Sequence, residues 1–175
     1  SCVYMACKKN KVPRSAKEIA EIFKIKVSDM TKGCKLFLEI MNLNENKPKY
    51  NVKTSSASDY IERYCSNLNL SNEICEICKK AAQKATEYSI VEDNTPPSIA
   101  AGTIYMICNL YSMSITKKNV SKACKISEVT ISKCFKKMNK YKKHLVDNIP
   151  ESYKKKKKSK SKKKSKKSKN EKKDS

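Results

Sequence analysis

The chain has 175 residues, enough for one domain, or one and a fraction, with a real apolar core. Its formal charge is +23, from 40 Lys plus Arg against 17 Asp plus Glu, which points to polyanionic partners, nucleic acid first and an anionic membrane surface second. No apolar run approaches the ~18 residues of a membrane-spanning helix, and the nine Cys, odd in number and set among apolar residues, read as reduced thiols rather than a disulfide framework.

The chain opens with Ser1 rather than Met, and Val3-Tyr4-Met5-Ala6-Cys7 already reads as core helix. A piece of a longer protein is the expectation. A short helix over Ala16 to Phe23, a turn and a longer helix over Ser28 to Met41 come next. The following stretch, residues 42–55, is polar, carries Pro48 and reads as a linker.

The next helix is predicted over Ala57 to Leu68, with Tyr60, Ile61, Tyr64, Cys65 and Leu68 on one face. Ser71 is suited to cap a second one, with Glu73 in its first turn. Its apolar stripe is Ile74, Ile77, Cys78, Ala81, Ala82, Ala85 and Tyr88. Thr95-Pro96-Pro97 ends the loop and starts a helix over Ser98 to Tyr111, because Pro is tolerated at the first helical position. That helix is apolar nearly all round and should form the buried centre of a bundle. Two more follow, Lys117 to Cys124 and Glu128 to Tyr141, around the turn Lys125-Ile126-Ser127. A short helix, a tight turn and a longer helix capped by Ser127 is the layout of a helix-turn-helix.

From Lys154 onward the chain carries 14 Lys against one Glu and one Asp. Such a Lys/Ser stretch cannot bury a core and is expected to be disordered. It suits a nuclear localisation signal, a nonspecific phosphate-binding arm or a solvated tail. Two Gly in the whole chain and no run of alternating polarity argue against a sheet, so the fold class is all-α.

The chain also resembles itself at a separation of 101 residues. Val3-Tyr4-Met5-Ala6-Cys7 aligns with Ile104-Tyr105-Met106-Ile107-Cys108. Without a gap, Lys17, Ile19 and Ile22 then fall on Lys118, Val120 and Ala123, Lys24-Ile25 on Lys125-Ile126, and Met30 on Ile131. Two copies of one helical unit follow, the first cut short. The organisation expected is the last part of one copy over residues 1–41, a linker over 42–55, a complete copy over 56–150 and the tail over 151–175.

In the last helix, Ile131, Cys134, Phe135 and Met138 would face the core, leaving Val129, Thr130, Ser132, Lys133, Lys136 and Lys137 exposed. Small side chains at an exposed helix start can enter a major groove, where a Val or Thr methyl packs on thymine and nearby Lys meet phosphate. An ordinary helical hairpin closing a bundle is the competing reading. Cys75 and Cys78 form the one C-x-x-C, and the single His, His144, lies far away in sequence. Core packing is the expectation there, not metal. With no glycine-rich phosphate loop and no paired-carboxylate or Ser/His/Asp constellation, neither an enzyme nor a cofactor is expected.

Ile104-Tyr105-Met106, Lys117-Lys118-Asn119-Val120 and Glu128-Val129-Thr130-Ile131 resemble the closing half of the second cyclin-like repeat of the transcription factor IIB family. Tyr4-Met5-Ala6-Cys7 and Val12-Pro13-Arg14-Ser15-Ala16-Lys17-Glu18-Ile19 are similar to the matching part of its first repeat. The resemblance implies a cyclin-like five-helix bundle preceded by the C-terminal half of another. It implies binding to the TATA-binding protein and to promoter DNA flanking the TATA element, with RNA polymerase engaged through a region that would precede Ser1. A nuclear or viral transcription compartment and a monomeric state complete the expectation.

Carried over by position, Val129 and Thr130 match base-contacting residues. The neighbouring position, commonly a base-contacting Arg in that family, is Ser132 here, which cannot make a bidentate guanine contact. Arg14, with Lys11, lies in a stretch matching a segment that follows DNA downstream of TATA. Lys17, Lys118, Lys133 and Lys136 complete the candidate DNA-binding set. The alternatives are a cyclin that binds a kinase, a polymerase III-type or viral relative of the factor, and a nucleic-acid-binding protein driven by its tail.

Overall fold

A computed structural model of the chain describes residues 1–10, 12, 14–43 and 55–147. Lys11, most of the expected linker and the Lys/Ser tail lie outside the described residues. Among those described, every regular element is a helix: α1 (Cys2–Lys9), α2 (Ala16–Ile22), α3 (Val27–Leu43), α4 (Ser58–Asn67), α5 (Asn72–Glu87), α6 (Pro96–Leu110), α7 (Lys117–Cys124), α8 (Glu128–Lys140) and α9 (Lys142–Leu145).

Local chemistry sets the helix starts. Ser15 caps α2 by accepting from the Glu18 N–H at 3.2 Å, while the Glu18 carboxylate takes the Ser15 N–H at 2.8 Å. Thr116 and Asn119 make the same reciprocal box on α7, and each box satisfies two otherwise orphaned donors. Ser71 and Ser127 cap α5 and α8, and Pro96-Pro97 opens α6.

The helix ends use a device that needs no glycine. Lys24, Asn69, Ser89 and Ser112 sit at φ of 54°, 51°, 55° and 56°, just past α2, α4, α5 and α6. After each, an apolar residue turns its N–H back on the helix: Ile25 to the Ala20 carbonyl, Leu70 to Cys65, Ile90 to Ala85 and Met113 to Cys108, all within 3.1 Å. This is the Schellman arrangement. Left-handed backbone costs a non-glycine residue roughly 1 kcal/mol. The closed hydrogen bonds offset that, as does packing of Leu70, Ile90 and Met113 on the core.

α6 is the centre, as its composition predicts. Ala100, Ala101, Thr103, Ile104, Met106, Ile107 and Cys108 are all fully buried. α4, α5, α7 and α8 surround it, with α8 making the most extensive contact. This is the all-α, cyclin-like bundle expected. The Thr103 hydroxyl is buried too, and it is satisfied within the bundle by donating to the Ile99 carbonyl at 2.8 Å.

Most buried apolar residues fall into two clusters. The larger draws on α4 to α9, and a smaller one joins Ile19, Ala20 and Met30, with Tyr4, Ala16 and Cys34 packed against them. The 101-residue repeat is visible in this geometry. Met5 and Met106 are both buried, as are Met30 and Ile131. Lys24 and Lys125 adopt the same left-handed turn at φ of 54° and 57°. What differs is the cover. In the second copy α4 and α5 pack over α6, and Ile104 is sealed. Val3, its counterpart on α1, is 45% exposed.

Three local expectations are corrected. Tyr88 does not continue the buried stripe of α5: the helix ends at Glu87, and Tyr88 is its C-cap residue and 58% exposed. Phe135 is half-buried rather than core, with its ring 5.1 Å from that of Tyr105, edge to face. The last helix ends at Lys140, and a further turn, α9, brings Leu145 and Val146 into the core against α5. Burying that apolar pair is the reason the chain bends back.

Candidate nucleic-acid interface

α7 is a short helix followed by a turn and the longer α8, and the start of α8 divides sharply between inside and outside. Ile131, Cys134 and Met138 are fully buried, whereas Val129 is 65% exposed. Thr130 is half-buried. Its N–H donates to Ser127 Oγ at 3.2 Å and its own hydroxyl lies 2.8 Å from that oxygen. The cap therefore occupies the polar end of Thr130.

Ser132 was expected to be exposed; it is half-buried and already engaged. Lys117, from the first position of α7, donates to Ser132 Oγ at 3.1 Å. Sequence reading named Ser132 as a departure from a family pattern but gave Lys117 no part. The only signal was its position at a helix start, opposite the second turn of α8.

Lys118, Lys133 and Lys136 are exposed, and among the described residues none has a carboxylate within ion-pair distance. Their charge is available to an incoming polyanion. Lys137, also expected to be exposed, is half-buried and held by Asp93 at 3.1 Å.

Lys17 comes from the first copy yet reaches the same neighbourhood. It lines an open cleft of about 480 Å3 with Glu21 of α2, Lys122 of α7, Lys125 just past its end and Ser127 at the head of α8. Glu21 crosses that cleft to Lys125 at 3.4 Å, so part of the basic charge is internally balanced. Arg14 is not brought there. It is half-buried and lines a different cleft, of about 600 Å3, together with Asp59, Glu62 and Arg63 of α4. The candidate set therefore splits into a group around α7 and α8, with Lys17 beside it, and Arg14 apart.

The contact that ties the first copy to α4 went unnoticed in the sequence. Arg63 donates through Nη1 to Glu18 Oε1 at 2.5 Å and through Nη2 to Oε2 at 3.1 Å. The guanidinium also stands 5.0 Å from the Tyr64 ring centre. Burial pushes the Glu18 carboxyl up, but hydrogen bonds from Arg63 and Ser15 outweigh it and hold the carboxyl below its ordinary range. Glu18 is thus both the capping-box carboxylate of α2 and the anchor for α4. A signal did exist: the repeat places Asn119 where Glu18 stands, and a neutral cap there needs no arginine.

The C-x-x-C pair behaves as packing. Cys75 and Cys78 are buried with Cys65. Burial raises the Cys75 thiol to about 11, and Cys108, behind them on α6, is raised to about 12 for the same reason. Neutral thiols serve as small apolar side chains here. Among the described residues no group of three or more potential ligands could hold a metal ion.

Comparison with known proteins places this geometry. A family model described as the transcription factor TFIIB repeat matches residues 1–40 and 50–141. The chain is similar to a transcription initiation factor IIB-like protein of Acanthamoeba polyphaga mimivirus, 37% identical over 150 residues, or 85% of this chain and 32% of that one. It is 30% identical over 154 residues to transcription initiation factor IIB of Drosophila melanogaster, covering 88% and 46% of the two chains. For the Homo sapiens factor the figures are 29% over 136 residues, 78% and 41%. The chain spans about a third to a half of the length of these relatives.

Proposed function

Because this chain belongs to the transcription factor IIB family, we propose that it serves as a general transcription initiation factor that binds promoter DNA beside the TATA element together with the TATA-binding protein. The observation that carries this reading is the start of α8. An exposed Val129 follows the cap of α8 while Ile131 is fully buried, Lys133 and Lys136 lie four and seven positions further along the same helix, and Lys118 is exposed on α7; no carboxylate among the described residues balances these three charges. A helix start of that form fits a major groove, with an apolar contact for a thymine methyl and cations for the bordering phosphates.

Binding to DNA alone is weak and steeply salt-dependent in this reading, since phosphate contacts dominate it. Affinity and position come from the partner, which converts the DNA contact into an effectively intramolecular one. Lys17 adds charge from the first copy beside the same edge, and Arg14, with Lys11, supplies a second contact on the other side of the element. RNA polymerase would be engaged through parts of the protein other than these helices, in the nucleus or a viral transcription compartment.

A gel-shift on a TATA-box duplex with the TATA-binding protein tests the proposal, using residues 1–153 with and without Val129→Ala/Thr130→Ala. The expected result is a slower ternary band, weakened by the double substitution. No ternary band, together with equal shifting of any duplex by the full chain, would overturn it in favour of binding through the Lys/Ser stretch.

A further inference from the structure

We propose that Lys117, on α7, is the residue that reads a base edge at the start of α8, and that the base it selects is guanine. This rests on the promoter-binding reading above and goes beyond it by naming the reader and the base.

Ser132 lies in the second turn of α8, three positions after Val129, and so shares its face. Lys117 and Ser132 are both half-buried, and the Lys117 ammonium donates to the Ser132 hydroxyl at 3.1 Å. Local electrostatics do not favour a cation there. Lys117 occupies the first position of α7, where the helix dipole opposes positive charge, and the N-terminal end of α8 adds the same sign.

Other lysines fixed between helices are held by carboxylates: Lys84 by Asp147, Lys125 by Glu21 and Lys137 by Asp93. Lys117 is held by a neutral hydroxyl, and no carboxylate among the described residues stands within ion-pair distance. An ammonium has three donors. Ser132 takes one, leaving two on a group that is positioned in advance and electrostatically unrelieved. Pre-positioning also lowers the ordering cost of binding.

Two donors on one cation fit two acceptors on one base edge. In the major groove guanine presents N7 and O6 together. Adenine pairs its N7 acceptor with an amino donor that an ammonium cannot satisfy, and thymine offers one carbonyl beside its methyl. Guanine is therefore the base that uses both remaining donors. Lys118, Lys133 and Lys136 lack such a tether and follow phosphate, which carries no sequence information.

The test is a binding selection from duplexes with a fixed TATA element and randomised flanks. It uses the full chain with the TATA-binding protein, comparing wild type, Lys117→Ala, Ser132→Ala and Lys118→Ala. Circular dichroism and a melting curve confirm that each variant is folded. Wild type enriches guanine at one flank position by roughly ten-fold, the scale of a good two-acceptor contact. Lys117→Ala loses that preference, Ser132→Ala weakens it, and Lys118→Ala keeps it while binding all flanks more weakly. Replacing the selected guanine with 7-deazaguanine weakens wild type and leaves Lys117→Ala unchanged.

Retention of the same guanine by Lys117→Ala overturns the assignment. So does an equal loss on every flank sequence, which would make Lys117 a phosphate contact. A wild-type ternary complex with no base preference sinks this inference alone. Failure of wild type to form a ternary complex on any flank sinks the promoter-binding reading, and this one with it.

Discussion

Gly102 on α6 packs directly against Cys134 on α8: a Cβ built on Gly102 would lie 2.7 Å from Cys134 Sγ and 2.8 Å from its Cβ. The repeat carries the same crossing with the small residue on the other helix. Gly33 of α3 faces Ser1 at the head of α1, where an added Cβ would meet Ser1 Oγ at 3.0 Å. Each crossing needs one missing side chain, and either helix can supply it.

Gly102→Ala is therefore expected to destabilise the bundle by about 2 kcal/mol through overpacking, despite a gain of up to ~1 kcal/mol in helix propensity. The clash wins because it involves the Cβ of Cys134, which no rotamer can move. Urea unfolding followed by circular dichroism reads the change. Adding Cys134→Gly recovers part of it, whereas Cys134→Ala, which keeps the Cβ, recovers little.

The Glu18–Arg63 pair makes a pH prediction. Glu18 has a folded-state pKa below its unfolded value of about 4.3. Its contribution is thus fully present above that value and is lost as pH falls through the depressed folded value. Glu18→Gln should lower the unfolding free energy measured in urea at pH 7 by roughly 2 kcal/mol, the scale of hydrogen bonds to a charged group. The gap between variant and wild type should close toward pH 2. A gap that stays constant with pH would mean that the carboxylate charge contributes nothing.

Lys118→Ala, Lys133→Ala and Lys136→Ala should each leave stability within about 0.5 kcal/mol, as exposed positions do. Each should also reduce the salt dependence of DNA binding by about one counterion. Lys137→Ala should change the salt slope less, because Asp93 already occupies that charge. Fluorescence anisotropy across a salt series measures both.

Tyr64 is fully buried, and its hydroxyl has no hydrogen-bond partner among the described residues. Burial drives its pKa far upward. Tyr64→Phe removes a desolvated polar atom and keeps the ring under Arg63, so it should be neutral or stabilising by up to about 1 kcal/mol. A loss above 1 kcal/mol in a thermal melt would show that the hydroxyl is satisfied in solution.

Much of the fold was legible in the sequence. Caps such as Ser71 and Ser127 act on N–H groups three residues away, and apolar spacing of three and four reports one helix face; both are local. That is why α2, α5, α7 and α8 fall within a residue or two of expectation, and why the composition of α6 announces a helix buried on all sides. The 101-residue repeat needed no coordinates either, since equivalent positions bury equivalent side chains.

Partners across helices were not legible. Glu18 meets Arg63 from 45 residues away, Lys137 meets Asp93 from 44, and Lys117 meets Ser132 across a turn. No local periodicity encodes such pairs, because they depend on where two helix axes cross and how closely. From the sequence, Ser132 could be read only as the absence of an arginine. That a cation stands over it, brought from α7, was decided by the packing of α7 against α8, which alone sets the distance between the two side chains.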